Sequence, residues 1–160
     1  FTETKLSKKN FSLDGCSAPQ YSFKIKSISK ALNNLIKSYK DCYDYSEEVK
    51  TLINSILENP EFIGGTGSFD TKVMKASKGK IFCKSGAEGV FLFIDIHNEI
   101  SGVVKITDGN ERAIPISILN IFKKLKVMTR EELNNLEKKE KFDLKNHAGK
   151  NIGHISLTMK

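Results

Sequence analysis

The sequence predicts a mixed α/β fold of the α+β kind, an antiparallel sheet with helices packed on its faces. Three observations carry that expectation. The run Val90-Phe91-Leu92-Phe93-Ile94-Asp95-Ile96 is apolar on both faces over most of its length, as in a central strand covered from both sides. The connections around it, Ser85 to Gly89 before and His97-Asn98-Glu99 after, are too short for a crossover helix and specify hairpins. Stretches with helical apolar spacing lie both before and after these strands.

In chain order, Phe1 to Asn10 is polar and irregular. Between Ser27 and Lys40, Ile28, Ala31, Leu32, Leu35, Ile36 and Tyr39 follow the spacing of an amphipathic helix. A second helix is expected from about Glu47 to Glu58, with Ser46 as N-cap and Glu47 and Glu48 in its first turn. Its core face is Val49, Leu52, Ile53, Ile56 and Leu57, and Asn59-Pro60 stops it. A short helix from about Asp70 to Ala76 follows, ended by Lys78-Gly79. Strands are expected at Lys80 to Lys84, Val90 to Ile96 and Gly102 to Ile106, the last closed by Asp108-Gly109-Asn110. Ile114 to Leu125 reads as a helix with Pro115 in its first turn. Thr129-Arg130-Glu131-Glu132 is a capping box for a last helix to about Lys139. That helix offers only Leu133 and Leu136 to a core and is expected to be peripheral. Asn146 to His154 is a turn leading into a final strand, Ile152 to Leu157.

Composition bounds the function. The 160 residues are 39% apolar and 28% charged, enough chain for one domain with a real core. There is no apolar run near the roughly 20 residues that a membrane helix needs, and no signal peptide is visible. The chain starts at Phe1 and is expected to be the C-terminal portion of a longer protein. Net charge is +7, from 26 Lys and Arg against 19 Asp and Glu, yet arginine occurs only at Arg112 and Arg130. Dispersed lysines with only two arginines and no basic stripe speak against a nucleic-acid reader. Cys16, Cys42 and Cys83 are an odd count without paired spacing, which argues against a disulfide framework and for a reducing, cytoplasmic setting. His97, His147 and His154 lack metal-ligand spacing.

Three stretches carry chemistry. In Asp14-Gly15-Cys16-Ser17-Ala18-Pro19 a carboxylate, a thiol and a hydroxyl share one turn. It reads either as a pocket wall, with Asp14 for a substrate ammonium and Cys16 as metal ligand or reactive thiol, or as a turn with Asp14 capping backbone amides. Gly64-Gly65-Thr66-Gly67-Ser68-Phe69-Asp70-Thr71 could cradle an anion but lacks the Lys-Ser/Thr of a P-loop. Lys80-Ile81-Phe82-Cys83-Lys84-Ser85-Gly86-Ala87-Glu88-Gly89-Val90 delivers a lysine to a strand end, followed by glycines that allow close approach. Such a lysine can attract a carboxylate as a cation or, desolvated, take a proton from a hydroxyl. Lys84-Ser85-Gly86 also matches the Lys-Thr/Ser-Gly box of serine β-lactamases and penicillin-binding proteins.

The order of these segments, together with Val104-Lys105-Ile106-Thr107-Asp108-Gly109 and Asn146-His147-Ala148-Gly149-Lys150-Asn151-Ile152-Gly153, resembles the asparaginase II family of the Rhizobium inducible type over essentially the whole chain. The resemblance implies a serine β-lactamase-like fold with its N-terminal part missing here, and hydrolysis of L-asparagine to aspartate and ammonia by Ser-Lys nucleophilic catalysis. It implies that Lys84 belongs to a second Ser-Lys pair, and that Asp14, Ser85, Gly86 and Glu88 line the substrate site. It also implies that Cys16 is a zinc ligand together with residues of the N-terminal half. The resemblance allows a homodimer and assigns neither nucleic acid nor membrane as partner.

Two features depart from that family. Ser17 and Ser68 stand where the family has glycine and arginine. No Ser-x-x-Lys occurs in the family's context: Ser27-Ile28-Ser29-Lys30 has the spacing but lies after the Asp14-Gly15-Cys16 motif, where it starts a helix. The isolated chain is therefore expected not to hydrolyse asparagine. A glutaminase or β-lactam-binding relative would share the Lys84 box, and a basic, non-enzymatic binding module is the alternative of another class.

Overall fold

The computed structural model describes residues 1–158. The chain opens with a hairpin, β1 (Phe11–Leu13) and β2 (Pro19–Tyr21), and continues through α1 (Ile25–Tyr39), α2 (Ser46–Glu58), α3 (Pro60–Gly64) and α4 (Phe69–Ala76). β3 (Ile81–Gly86), β4 (Val90–Asp95) and β5 (Ile100–Lys105) follow, then α5 (Ile114–Leu125) and α6 (Arg130–Glu137). A second hairpin, β6 (Asp143–Lys145) with β7 (Asn151–His154), comes last. All strand pairs are antiparallel, and the central sheet has the order β3-β4-β5.

β4 is the middle strand, as its two-sided apolar run demands. The pleat sends alternate residues to opposite faces. Phe91 and Phe93, with Ile81 and Cys83 of β3, pack against α4, α5 and α6 through Met74, Ile118, Phe122 and Leu136. Ile94 and Ile96, joined by Phe82 and Leu92, pack against Leu32 and Ile36 of α1 and Val49 and Ile53 of α2. Phe93 meets Phe122 edge-on, their ring centroids 5.0 Å apart, a favoured aromatic geometry. On β5 the partner of Phe93 is Gly102. A Cβ on Gly102 would stand 2.4 Å from the Phe93 ring, so this strand position accepts the ring only because it has no side chain.

The N-terminal segment is pinned to the body. Asn34, 1% exposed on α1, donates from Nδ2 to the Phe1 carbonyl at 2.8 Å, and Lys30 pairs with Glu3. Both hairpins carry exposed strands, and His154 Nδ1 lies 2.9 Å from Asp143 across the second.

Several sequence expectations need correction. Ser46 does not cap α2: Tyr45 holds the cap position in the left-handed region and makes no side-chain bond, while the Ser46 hydroxyl donates to the Tyr43 carbonyl. Asn59-Pro60 ends α2 but also starts α3, because proline's fixed φ suits a first helical position. α6 is not peripheral: Leu136 is 1% exposed and lies in the main core with Leu133, held by the expected Thr129–Glu132 capping box. β5 begins at Ile100 rather than Gly102, β3 runs on to Gly86, and the last strand ends at His154. Among the described residues no helix is long and apolar enough to cross a membrane.

Candidate active site

In the strand order of the sheet β3 lies at an edge, and an edge strand leaves backbone amides without a neighbouring strand. Near the end of β3 the chain satisfies one from a helix. The Ser85 N–H donates to Asp70 Oδ2 at 3.1 Å, and Asp70 stands in the first turn of α4. Asp70 is 1% exposed. It also accepts the Thr71 N–H at 3.1 Å, and Lys84 Nζ lies 3.7 Å from its Oδ2. A carboxylate this buried needs such partners to stay ionised. Burial opposes its ionisation, but contact with Ser68, the Ser85 amide, the Lys84 charge and the Thr71 amide outweigh burial and hold its carboxyl below the usual range.

Local sequence builds this arrangement. Ser68 is the N-cap of α4 and accepts from the Thr71 N–H. The Thr71 hydroxyl donates to the Gly65 carbonyl at 2.9 Å, which ties the glycine loop to the helix start. Gly64 packs directly on these groups: a Cβ there would lie 2.5 Å from Thr71 Oγ1, 2.6 Å from Asp70 Oδ1 and 2.7 Å from Ser68 Oγ. Gly64→Ala is therefore expected to cost about 1–3 kcal/mol through overpacking. A urea-unfolding midpoint equal to that of the parent chain would contradict this tight packing.

Lys84 reaches round the sheet edge, its amine shared between Asp70 and the Ser85 carbonyl. Its side chain is 43% exposed, so one face of the ammonium meets a cleft of about 300 Å³. Phe69, Ile114 and Pro115 give the cleft apolar walls, and Ser85 and Glu111 add polar groups. Beneath it, Cys83 is fully buried. Burial, followed by the negative charge of Asp70, pushes its thiol well above the ordinary cysteine range, so it is a packing residue and not a nucleophile. A larger groove of about 470 Å³ between α5 and α6 has a Leu119, Met128 and Leu133 floor with Lys123, Lys126 and Arg130 at its rim. It holds no hydroxyl or thiol to act as nucleophile.

The structure brings together only some of the residues singled out in the sequence. Lys84 and Ser85 line one cleft. Gly86 closes the strand opposite Val90. Glu88 is exposed in the following turn with φ of 59° and is not part of the cleft wall. Asp14 and Cys16 are exposed on the β1–β2 turn. There Asp14 Oδ1 accepts the Cys16 and Ala18 amides at 2.8 and 3.0 Å, and Oδ2 accepts from Gln20 at 3.0 Å. Neither lines the Lys84 cleft. Among the described residues no three His, Cys, Asp or Glu side chains group as a metal site. Zinc takes about four ligands, so the described residues do not by themselves make a zinc site at Cys16.

The sequence does not mark Asp70 or Glu111 as a site residue. The Gly-Thr-Gly-x-Phe-Asp-Thr segment was the one signal for Asp70, and Glu111 had none. A family model described as L-asparaginase II matches residues 1–157. No match was found among curated proteins.

Proposed function

The chain belongs to the L-asparaginase II family, and we propose that it supplies the lysine-bearing wall of a site that hydrolyses L-asparagine to aspartate and ammonia. The observation that supports this best is Lys84, held at the mouth of a cleft by a buried carboxylate on an edge strand. Lys84-Ser85-Gly86 on such a strand, with helices on both sheet faces, also fits the serine β-lactamase-like arrangement.

Amide hydrolysis of this class begins when an activated hydroxyl attacks the carboxamide carbon. The amide nitrogen takes up the hydroxyl's proton as the C–N bond breaks and leaves as ammonia, and water then cleaves the acyl ester. Lys84 contributes positive charge where the substrate carboxylate and the developing oxyanion collect. Beside a second lysine, that charge disfavours protonation of the one that activates the nucleophile.

The attacking hydroxyl comes, in this reading, from polypeptide outside these 160 residues. Two serine hydroxyls lie at the cleft. Ser68 is bonded to the Gly65 carbonyl and to Thr71. Among the described residues no hydrogen bond joins the Ser85 hydroxyl to the Lys84 amine, which is directed instead to the Ser85 carbonyl and Asp70. Cys16 would contribute one thiolate to a zinc held together with other polypeptide, and no step above depends on that metal. Three unpaired cysteines suit the cytoplasm.

The test is ammonia release from L-asparagine and L-glutamine, alongside opening of a penicillin. The 160-residue chain alone is expected to be inactive. Protein that joins it to a Ser-x-x-Lys-bearing segment is expected to hydrolyse asparagine in preference to the other two. Rapid turnover by the chain alone would remove the external nucleophile, and preferential cleavage of penicillin would replace the asparaginase reading.

A further inference from the structure

We infer that Glu111 is the specificity residue of the Lys84 cleft, reading the α-ammonium of an amino-acid substrate while Lys84 reads its α-carboxylate. The inference rests on the reading of that cleft as the substrate site and goes beyond it by assigning the amino group.

The argument begins with which carboxylates are available. A zwitterionic amino acid presents a carboxylate and an ammonium on one carbon, so its site needs opposite charges on facing walls. Asp70 is buried and already receives two backbone amides and the Lys84 amine. Asp14 is occupied by its own turn and lies outside the cleft. Glu88 also lies outside it.

Glu111 does line the cleft. It is exposed, and among the described residues its side chain has neither an ion-pair nor a hydrogen-bond partner. Its backbone is well fixed. Glu111 opens a 3-10 turn over Glu111–Ala113 capped by Asn110, which accepts the Arg112 N–H at 3.0 Å. Arg112 in turn bonds Asp108 at 2.7 Å. The arginine next door is thereby drawn off to Asp108, and the Glu111 charge is left for the cleft.

Lys84 is suited to the other half. An ammonium has three donors. One is directed to the Ser85 carbonyl, and the charge is paired with Asp70 at 3.7 Å, which leaves donors for a carboxylate. The cleft thus carries a cation on the β3 edge and an anion on the turn before α5. A dicarboxylate without an amino group, such as succinate, meets the Glu111 charge with no compensating cation of its own.

Binding can be read on the chain without turnover. Amide chemical shifts of Lys84, Ser85 and Glu111 would be followed by NMR during titration with L-aspartate and, separately, succinate. The parent chain is expected to prefer L-aspartate, by about five-fold for one exposed charge contact. In Glu111→Gln that preference should fall to near unity, and Glu111→Asp should retain part of it. Because Glu111 is exposed, thermal unfolding of these variants should match the parent. An unchanged preference in Glu111→Gln overturns the inference, as does failure of either ligand to shift these resonances. Glu111-dependent preference in protein that never releases ammonia supports the inference and defeats the hydrolase reading. Asparagine hydrolysis with the preference unmoved by Glu111→Gln does the reverse.

Discussion

Lys84→Met is expected to lower asparagine hydrolysis by the active enzyme roughly 10²–10³-fold, the range seen when one preorganised electrostatic group is removed from a transition state. The fold should survive. Methionine keeps most of the apolar stem, and Lys84 is 43% exposed, so solvent screens its attraction to Asp70 and limits the loss to about 1 kcal/mol. Asp70 still accepts the Ser85 and Thr71 amides after the change. The two effects separate in measurement. kcat/KM for asparagine should collapse while circular dichroism and the thermal midpoint stay close to the parent. Near-normal turnover would take Lys84 out of the chemistry. Lost activity with lost folding would make it a structural residue, and Lys84→Arg, which keeps the charge, would then rescue stability and rate together.

What could be read from the sequence follows from burial. β4 and α5 were legible because their apolar pattern is set by cores that touch them continuously; Ile114–Leu125 matches its expected range. β1, β2 and β6 were not, because strands of three exposed residues have no buried face to impose alternation. The turn between β1 and β2 was legible in one of its two readings, since Asp14 does bond the amides that follow it. α3 was hidden by a proline that stops one helix and starts the next. For the candidate site, Lys84 was visible as a lysine at a strand end. Asp70 was not, because an aspartate in a helix's first turn ordinarily faces solvent. Only the edge-strand amide of Ser85, fifteen positions later, explains its burial, and that pairing requires the tertiary fold.

Asp70→Ala should be the most damaging single change at this site, at about 3 kcal/mol, because it leaves a buried amide unsatisfied and a nearby cation without its partner. The Ser85 N–H has no strand beyond it to bond, and the Lys84 amine loses the carboxylate 3.7 Å away. Asp70→Asn separates the two losses. Its side-chain oxygen can still accept the Ser85 amide, so it should cost less, but it carries no charge. The pH dependence then identifies the carboxylate. The folded-state pKa of Asp70 is depressed, so the ionised form stabilises the fold above the ordinary aspartate value near 3.9. That contribution is lost as pH falls through the lower folded value. Urea midpoints measured from neutral pH downward should show the parent losing stability in acid more steeply than Asp70→Asn, with the two curves converging below about pH 4. Other carboxylates, Glu61 and Glu132 among them, are also depressed and act equally in both proteins, so the difference between the curves isolates Asp70. Parallel curves would mean that folding leaves the proton affinity of Asp70 unchanged, and a parent that gains stability in acid relative to Asp70→Asn would mean that Asp70 is protonated in the folded chain.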